Sequence, residues 1–221
     1  MVTVDMVTTS LPCHFFVTGT DTGVGKTTVT VRLMQQFAAQ GLKVVGMKPV
    51  ASGCEWIDDR WQNEDVMQLA AASNVQAPPE LVNPYCFQPA IAPHIAAAQA
   101  GVEIQLDVIK TAYTALTELA DVVIVEGAGG LLVPLNKTQS MGDLLQALEL
   151  PALVVVGMRL GCINHALLTR QVLQQKQILF CGWVANQIDP DMSMQQENLQ
   201  TLVDWLKQSP VLQLPYQGQK T

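Results

Sequence analysis

Apolar segments of strand length alternate with helix-like segments along most of this 221-residue chain. Segments that are apolar without polar alternation are typical of strands buried on both faces of a parallel sheet. The sequence therefore predicts one α/β domain, a parallel sheet with helices on both faces. The first helix has Val29, Leu33 and Phe37 on one face and is predicted to end at Gly41. The predicted strands are "HFFVTG", "LKVVGMKPV", "ADVVIVEGAGG", "LPALVVVGMRLG" and "ILFCGWVANQ".

The first strand leads into a glycine-rich turn and a helix, "FFVTGTDTGVGKTT" at residues 15–28. A standard phosphate-binding loop reads G-x-x-x-x-G-K-[ST], and here the first glycine, Gly19, stands one residue too early. Backbone N–H groups at such a helix start cradle phosphates, the lysine reaches the β- and γ-phosphates, and the next hydroxyl can ligate Mg²⁺. The sequence thus predicts a P-loop NTPase fold with a nucleotide site at Thr22, Gly23, Val24, Gly25, Lys26, Thr27 and Thr28.

Ligands of parallel sheets bind beyond the carboxyl ends of the strands, where the other candidates stand. Lys48 ends the second strand, predicted to lie beside the P-loop strand, and could place a second cation on a transferring phosphoryl group. The alternative is a solvated lysine at a strand end. Glu126 ends the third strand, where a Walker B carboxylate would hold Mg²⁺. Asp65, in "NEDVMQL", is a further metal candidate, or an acid that serves a helix dipole.

The last two strands end near groups that could bind other parts of a ligand. In "RLGCINHALLT" a helix start at residues 161–164 offers N–H groups to an anion, as every helix start does. Asn186 follows the last strand, where guanine-binding proteins carry N-K-x-D. Here "NQID" lacks the lysine that packs on the base. We therefore predict no guanine specificity, but a hydrogen bond from Asn186 to a purine edge.

Composition excludes some classes of partner. Twelve basic and nineteen acidic residues give a net charge of −7, which argues against nucleic acid or an anionic membrane as the main partner. The first 13 residues lack the basic and apolar regions of a signal peptide, and no apolar run is long enough to span a membrane, so a cytoplasmic protein is expected. The apolar residues of segment 1–13 show no helix or strand periodicity, so this segment is predicted to be a flexible extension of a domain at residues 14–221.

Two further expectations concern cysteines and prolines. Five prolines between residues 74 and 93 predict a loop excursion. The five cysteines are scattered without a C-x-x-C spacing, which predicts reduced thiols and neither a disulfide framework nor a zinc site. They are Cys13, Cys54, Cys86, Cys162 and Cys181.

Together these features resemble the dethiobiotin synthetases, ATP-dependent enzymes of biotin synthesis. The resemblance implies a homodimer that uses ATP, Mg²⁺ and CO₂ to convert 7,8-diaminononanoate to a cyclic urea, through a carbamate and a carbamic–phosphoric anhydride. It runs in family order from residue 15 to 186. The stretches that carry it are "FVTGTDTGVGKTT", "KPVASGCE", "NPYCF", "PHIAAAQ", "VEGAGG", "VVGMRLGCINHALLT" and "GWVAN".

The resemblance also implies roles for residues. Lys26 and Lys48 would offset charge where carbamate and γ-phosphate meet, and Ser52 would hold the carbamate or amine side of the substrate. The implied catalytic residues are Lys26, Thr27, Lys48 and Ser52. The implied Mg²⁺ ligands are Thr27, Asp65 and Glu126. The substrate carboxylate would bind across the dimer interface, at Gly161, Cys162 and Asn164 of the other subunit.

The chain departs from the family pattern at three places. Gly23 and Ala92 stand where many members have Glu and Ser, although His94 is in place. The sequence ends with "VLQLPYQGQKT", where many members continue with further helix, so a looser choice of nucleotide is expected. Two alternatives stay open. One is a partner-regulating ATPase, but that class carries a lysine where this chain has Asp21. The other is a family member that binds nucleotide without catalysis.

Overall fold

A computed structural model of the chain describes residues 11–218. Within that range it contains ten strands and eight helices. The strands are β1 (His14–Gly19), β2 (Val44–Met47), β3 (Val50–Ser52), β4 (Glu55–Ile57), β5 (Arg60–Gln62), β6 (Tyr85–Phe87), β7 (Val122–Glu126), β8 (Ala152–Met158), β9 (Phe180–Gln187) and β10 (Leu212–Leu214). The helices are α1 (Lys26–Ala39), α2 (Glu64–Ala72), α3 (Pro79–Val82), α4 (Pro93–Gln99), α5 (Leu106–Thr117), α6 (Met141–Ala147), α7 (Cys162–Gln175) and α8 (Gln195–Leu206).

Six strands form one sheet in the order β10-β9-β8-β1-β7-β2, and every pairing in it is parallel. Successive side chains of β1 enter different layers, because strand residues alternate between the two faces. Phe15 packs into a core cluster with Leu33 of α1, whereas Phe16 belongs to the cluster on the other face, with Ile109 of α5. The predicted parallel α/β fold with helices on both faces is confirmed.

Helix α1 ends as its sequence predicts. Gly41 has φ of +83°, and its N–H donates to the carbonyl oxygen of Ala38 at 3.0 Å. A residue with a side chain would be strained in this left-handed conformation. Glycine adopts it readily and so ends the helix here.

The second predicted strand divides in two, and its place in the sheet differs from the prediction. Pro49 follows β2 and has no N–H for a strand ladder, so the chain leaves the main sheet. β3 then pairs with β6 in a separate two-stranded sheet. β2 is an edge strand next to β7, so the prediction that Lys48 follows a strand beside the P-loop strand was wrong.

The proline-rich stretch is more ordered than the predicted loop. It contains α3, β6 and the start of α4. Pro79 and Pro93 are the first residues of their helices, where the fixed φ of proline suits the helix and its missing N–H has no partner to lose.

A disulfide joins Cys54 and Cys86, whose Cα atoms lie 6.2 Å apart. The prediction of reduced thiols was therefore wrong for this pair. The pairing of β3 with β6 brings the two residues together from 32 positions apart, which sequence spacing could not reveal. Cys13, Cys162 and Cys181 are free, as predicted.

The ends of the chain are described only in part. The predicted extension lies mostly outside the described residues, which begin at Leu11, and Leu11 itself is buried against the core. Between residues 11 and 218, none of the helices has the length and apolar character needed to cross a membrane.

Asp143 makes the start of α6 sensitive to pH. Its carboxylate accepts hydrogen bonds from the N–H and hydroxyl of Ser140 and from the ammonium of Lys176. Burial alone would raise the pKa of Asp143, but the bonds from Lys176 and Ser140 outweigh it and lower this pKa to about 2. The unfolded chain therefore binds this proton at higher pH than the folded chain does.

We expect the free energy of unfolding to fall as the pH drops from about 4 towards 2, because the stabilisation by Asp143 is complete only above its unfolded pKa. Urea titrations at several pH values measure this. Asp143→Asn should make the fall shallower, while the same change at the exposed helix-start acid Asp107 should not. An equally steep fall in both variants would contradict this account.

Candidate active site

A cavity of about 750 Å³ opens where the strands β1, β2 and β7 end. The P-loop forms one wall, and the loop at residues 90–93 forms another. Ten residues predicted from the sequence line it: Thr22, Gly23, Gly25, Lys26, Thr27, Thr28, Lys48, Ser52, Asp65 and Glu126. The remaining lining residues were not predicted as site residues: Val50, Gln68, Ala90, Ile91, Ala92, Pro93, Ala128, Gly129 and Val133.

The P-loop turns through two glycines into α1. Gly25 caps this helix in the left-handed conformation and Gly23 also has positive φ. Lys26 is only 7% exposed and donates to the carbonyl oxygen of Asp21 at 3.1 Å. Burial lowers the pKa of Lys26, and the nearby Lys48 ammonium lowers it further against the attraction of Glu126. The chain thus holds a desolvated ammonium at the start of α1, poised for an anionic ligand.

Gly25 and Gly23 offer a matched pair of substitutions. A Cβ on Gly25 would lie 2.2 Å from Nδ2 of Asn186, which donates to the carbonyl oxygen of Val24 at 2.8 Å. A Cβ on Gly23 would meet nothing within 4 Å. We expect Gly25→Ala to lower the melting temperature and weaken ATP binding strongly, since it must break the Asn186 contact. Gly23→Ala should carry only a backbone cost of about 1 kcal/mol. Equal effects, measured by thermal unfolding and nucleotide titration, would contradict this packing.

A lysine lies between two carboxylates at the floor of the cavity. Lys48 donates to Oε1 of Glu126 at 2.8 Å and to Oδ2 of Asp65. The hydroxyl of Thr27 donates to the same Glu126 oxygen at 2.8 Å. Burial would lower the pKa of Lys48, but Glu126 and Asp65 outweigh it and raise this pKa. Burial likewise would raise the pKa of Asp65, but the Lys48 ammonium dominates and lowers it. Lys48, Asp65 and Glu126 thus form one ion-paired cluster.

Asn63, which the sequence analysis missed, aligns two elements of this cluster. Its side-chain oxygen accepts from the N–H of Asp65 and caps α2, and its amide donates to the carbonyl oxygen of Ser52 at 3.0 Å. One side chain therefore fixes both Ser52 and Asp65. Asparagine directly before "ED" at a helix start was the signal available for the cap, though not for the second contact.

The cluster fits a hard cation such as Mg²⁺. Oε2 of Glu126 is fully buried without a hydrogen-bond partner, and Oγ of Ser52 is likewise buried and unpaired. Carboxylate and hydroxyl oxygens are the ligands that Mg²⁺ accepts, and it keeps several waters and substrate phosphates as the others. Across residues 11–218 there is no group of three or more His, Cys, Asp or Glu side chains that could hold a metal alone.

Several predicted residues lie outside the main cavity. The Val24 side chain is buried, and Asn186 binds the Val24 carbonyl at the edge of the loop. A second cavity of about 260 Å³ lies beyond the ends of β8, β9 and β10. It is lined by Met158, Ala185, Gln187, Gln195, Leu199, Gln213, Leu214 and Pro215. Ala185 and Gln187, the neighbours of Asn186 in β9, line this cavity, but Asn186 itself does not.

The predicted carboxylate-binding residues are also separate from the cavity of their own chain. Gly161 caps α7 with φ of +95°, Cys162 is buried, and Asn164 is exposed. None of the three is among the residues that line either cavity. Burial raises the pKa of the Cys162 thiol, which suits a packing role and not a nucleophile.

An ion pair that sequence reasoning missed links the P-loop to the segment before α7. The guanidinium of Arg159 donates to the Asp21 carboxylate at 2.5 Å, and the carbonyl oxygen of Arg159 accepts from the N–H of Cys162. Asp21 is thus paired with a residue of its own chain.

Comparison with known proteins identifies the family. A family described as "AAA domain" matches residues 14–219. The ATP-dependent dethiobiotin synthetase BioD of Nitrosospira multiformis is 56% identical over 202 residues, which is 91% of this chain and 88% of that protein. The enzyme of the same name from Xylella fastidiosa (strain 9a5c) is 48% identical over 85% of this chain and 83% of that protein. This chain belongs to the dethiobiotin synthetase family. The predicted resemblance and the predicted ATP-dependent ligase are thereby confirmed.

Solved structures outside the synthetase family share the fold. The MinD cell division protein of Aquifex aeolicus superposes with a TM-score of 0.58 at 16% identity, covering 93% of this chain and 83% of that chain. A ParA family ATPase from Chlorobium tepidum gives 0.56 at 13% identity, covering 93% and 84%. At such identities the likeness shows the fold alone.

Proposed function

We propose that this synthetase carboxylates 7,8-diaminononanoate with CO₂ and closes the product to dethiobiotin, at the expense of ATP. The observation that carries the proposal is the pairing of two buried ammonium groups, Lys26 and Lys48, in one cavity behind a P-loop. Two anions, a carbamate and a γ-phosphate, must meet in this reaction. Cations fixed in a desolvated site lower the cost of that encounter.

The proposed reaction consists of three bond changes. One substrate amine bonds to the carbon of CO₂ and loses a proton, which gives the carbamate. A carbamate oxygen then bonds to the γ-phosphorus as the bond to the β–γ bridging oxygen breaks and ADP leaves. Finally the second amine attacks the carbamate carbon and loses a proton, the bond from that carbon to the phosphate oxygen breaks, phosphate leaves, and the ring closes to a cyclic urea.

The residues at the cavity floor match these demands. Lys26, next to the P-loop amides, would contact the transferring phosphoryl group. Lys48 keeps its proton because Glu126 and Asp65 raise its pKa, so it presents a cation to the carbamate side. The unpaired Ser52 hydroxyl would hold the carbamate or amine. Mg²⁺ bound by Thr27, Asp65 and Glu126 would neutralise charge on the phosphate oxygens. These groups act mainly by position and charge.

An isotope experiment tests the proposed intermediate. With ¹⁸O-labelled CO₂, one labelled oxygen should appear in the released phosphate and one in the urea carbonyl, because the carbamate oxygen bonds to phosphorus. Mass spectrometry of both products measures this. Unlabelled phosphate alongside labelled dethiobiotin would exclude the anhydride while leaving the overall reaction in place.

We further propose that two copies of the chain complete each site, with the substrate carboxylate at the α7 start of the partner. Support comes from Asn164, which is exposed and does not line the cavity of its own chain, and from Leu160, which is 91% exposed just before α7. An apolar side chain this exposed suits an interface.

Complementation between two inactive variants tests the shared site. Lys26→Met and Asn164→Asp should each be inactive, but a doubly tagged mixed dimer should recover about half the wild-type turnover, since one of its two sites is intact. A mixed dimer as inactive as its parents would place both residues in one subunit's site. A monomeric enzyme with full activity would exclude the dimer altogether.

A further inference from the structure

We propose that the Cys54–Cys86 disulfide is a site of exchange with a low-molecular-weight thiol, and that its oxidation state governs how firmly Ser52 and Asp65 are held. Neither cysteine belongs to the cavity where ATP is proposed to react. The consequence for activity rests on the proposed function, whereas the exchange itself does not.

The segment between the two site residues is a short hairpin of β4 and β5. Ser52 lies just before this hairpin and Asp65 just after it. A shift of the residues that flank the hairpin would therefore move Ser52 and Asp65. The hairpin itself is almost entirely exposed, including Trp56 and Trp61, which pack edge to face with each other at 5.3 Å. Because it buries little apolar surface, packing contributes little to its position.

The base of the hairpin is held by three polar contacts and one covalent bond. The Asn63 amide donates to the Ser52 carbonyl, the Gly53 N–H to Pro89 at 3.2 Å, and the Cys54 N–H to Phe87 at 3.0 Å. The disulfide cross-links Cys54, at the base of the hairpin, to Cys86 in β6. Cleaving it leaves a weakly packed segment between two site residues.

Cys86 is the more accessible cysteine of the pair, with intermediate burial. It lines two cavities, of about 350 and 630 Å³, which share Trp61 as a further wall. Cys54, in contrast, is only 2% exposed. Cavities of this size admit a small thiol such as glutathione, but not the body of a protein.

The exchange balances with two equivalents of thiol. A thiolate attacks Sγ of Cys86, the disulfide bond breaks, and the electron pair remains on Sγ of Cys54, which takes up a proton. Sγ of Cys54 lies 3.8 Å from the carbonyl oxygen of Ala51, which can accept from the new thiol. A second thiolate attacks the mixed disulfide, so Cys86 leaves as a thiol and the small molecule leaves as its own disulfide.

The test compares the full-length enzyme after equilibration with glutathione disulfide or with reduced glutathione. Peptide mapping should find the Cys54–Cys86 bond in the first sample and free thiols in the second. Hydrogen exchange of the amides at residues 53–62 should be faster in the reduced sample. The Michaelis constant for the diamine should rise about tenfold, since small displacements of positioning groups are costly.

Two variants control the test. The double substitution Cys54→Ser and Cys86→Ser should match the reduced enzyme and ignore both forms of glutathione. Cys181→Ser, which changes a free thiol on β9, should respond like the wild type. Should the double variant unfold, the wild-type enzyme in its two redox states still decides the matter. Failure to form the bond in glutathione disulfide would overturn the proposal. Identical hydrogen-exchange rates and identical kinetics in the oxidised and reduced samples would also overturn it. A fully active enzyme with that result would leave the proposed function in place.

Discussion

Lys48→Met should reduce turnover by about 10³-fold or more, because it removes a preorganised cation from the place where two anions are proposed to meet. It should also destabilise the fold. The Glu126 carboxylate is completely buried, and removing the charged partner of a buried pair typically costs about 3–5 kcal/mol. Steady-state phosphate release and urea unfolding measure the two effects.

A second substitution separates these effects. Adding Glu126→Gln to Lys48→Met neutralises the orphaned carboxylate and should recover most of the stability, with no recovery of turnover. Lys43→Met, at an exposed lysine just before the same strand, should leave both unchanged. Near-normal turnover in Lys48→Met would remove this residue from the mechanism. Unchanged stability would contradict the buried ion pair.

Lys26→Met should reduce turnover by a similar factor, about 10³-fold, with little loss of stability. The Lys26 ammonium donates to one carbonyl oxygen, that of Asp21, and its burial already costs free energy. Calorimetric titration should also find weaker ATP binding, because the P-loop lysine contacts the phosphates. Turnover close to that of the wild type would exclude Lys26 from phosphoryl transfer.

The pH dependence gives an independent check on Lys26. The protonated ammonium of Lys26 is the form that would contact the phosphoryl group, and burial lowers its pKa. Activity should therefore be lost as the pH rises through that lowered pKa. The alkaline limb of kcat/KM, which reports the free enzyme, should therefore lie below the ordinary lysine range. In Lys26→Arg any residual activity should lack this limb, since arginine stays protonated. A limb at the same pH in Lys26→Arg would assign it to another group.

Much of the fold follows from local sequence. The five apolar segments correspond to β1, β2, β7, β8 and β9, since strands buried on both faces need no alternation to be recognised. Gly41 and the P-loop glycines were readable because positive φ favours glycine. The proximity of Lys48 and Glu126 was also predictable, because parallel strands end at the same edge of the sheet. Asp65 lies in the first turn of α2, and only its motif and the family resemblance pointed to it.

Other features depend on contacts between distant segments. β10 is a three-residue edge strand, and nothing in "VLQLPYQ" distinguishes it from a loop. The disulfide could be predicted only by knowing that β3 pairs with β6. The position of β7 between β1 and β2 likewise depends on the strand order of the whole sheet. The second contact of Asn63, to Ser52, is likewise a tertiary interaction. Local propensity carries no information about any of them.

The comparison with MinD and ParA proteins separates fold from function. They share the fold over 93% of this chain, but at only 16% and 13% identity. Function is therefore argued from the site and from the closer relatives, since one fold supports many activities.

The most direct test is to incubate the purified protein with ATP, Mg²⁺ and bicarbonate, with and without 7,8-diaminononanoate. We expect phosphate release that depends on the diamine, with one dethiobiotin formed for each phosphate. ATP turnover that ignores the diamine but rises with DNA, lipid or a protein partner would contradict the account.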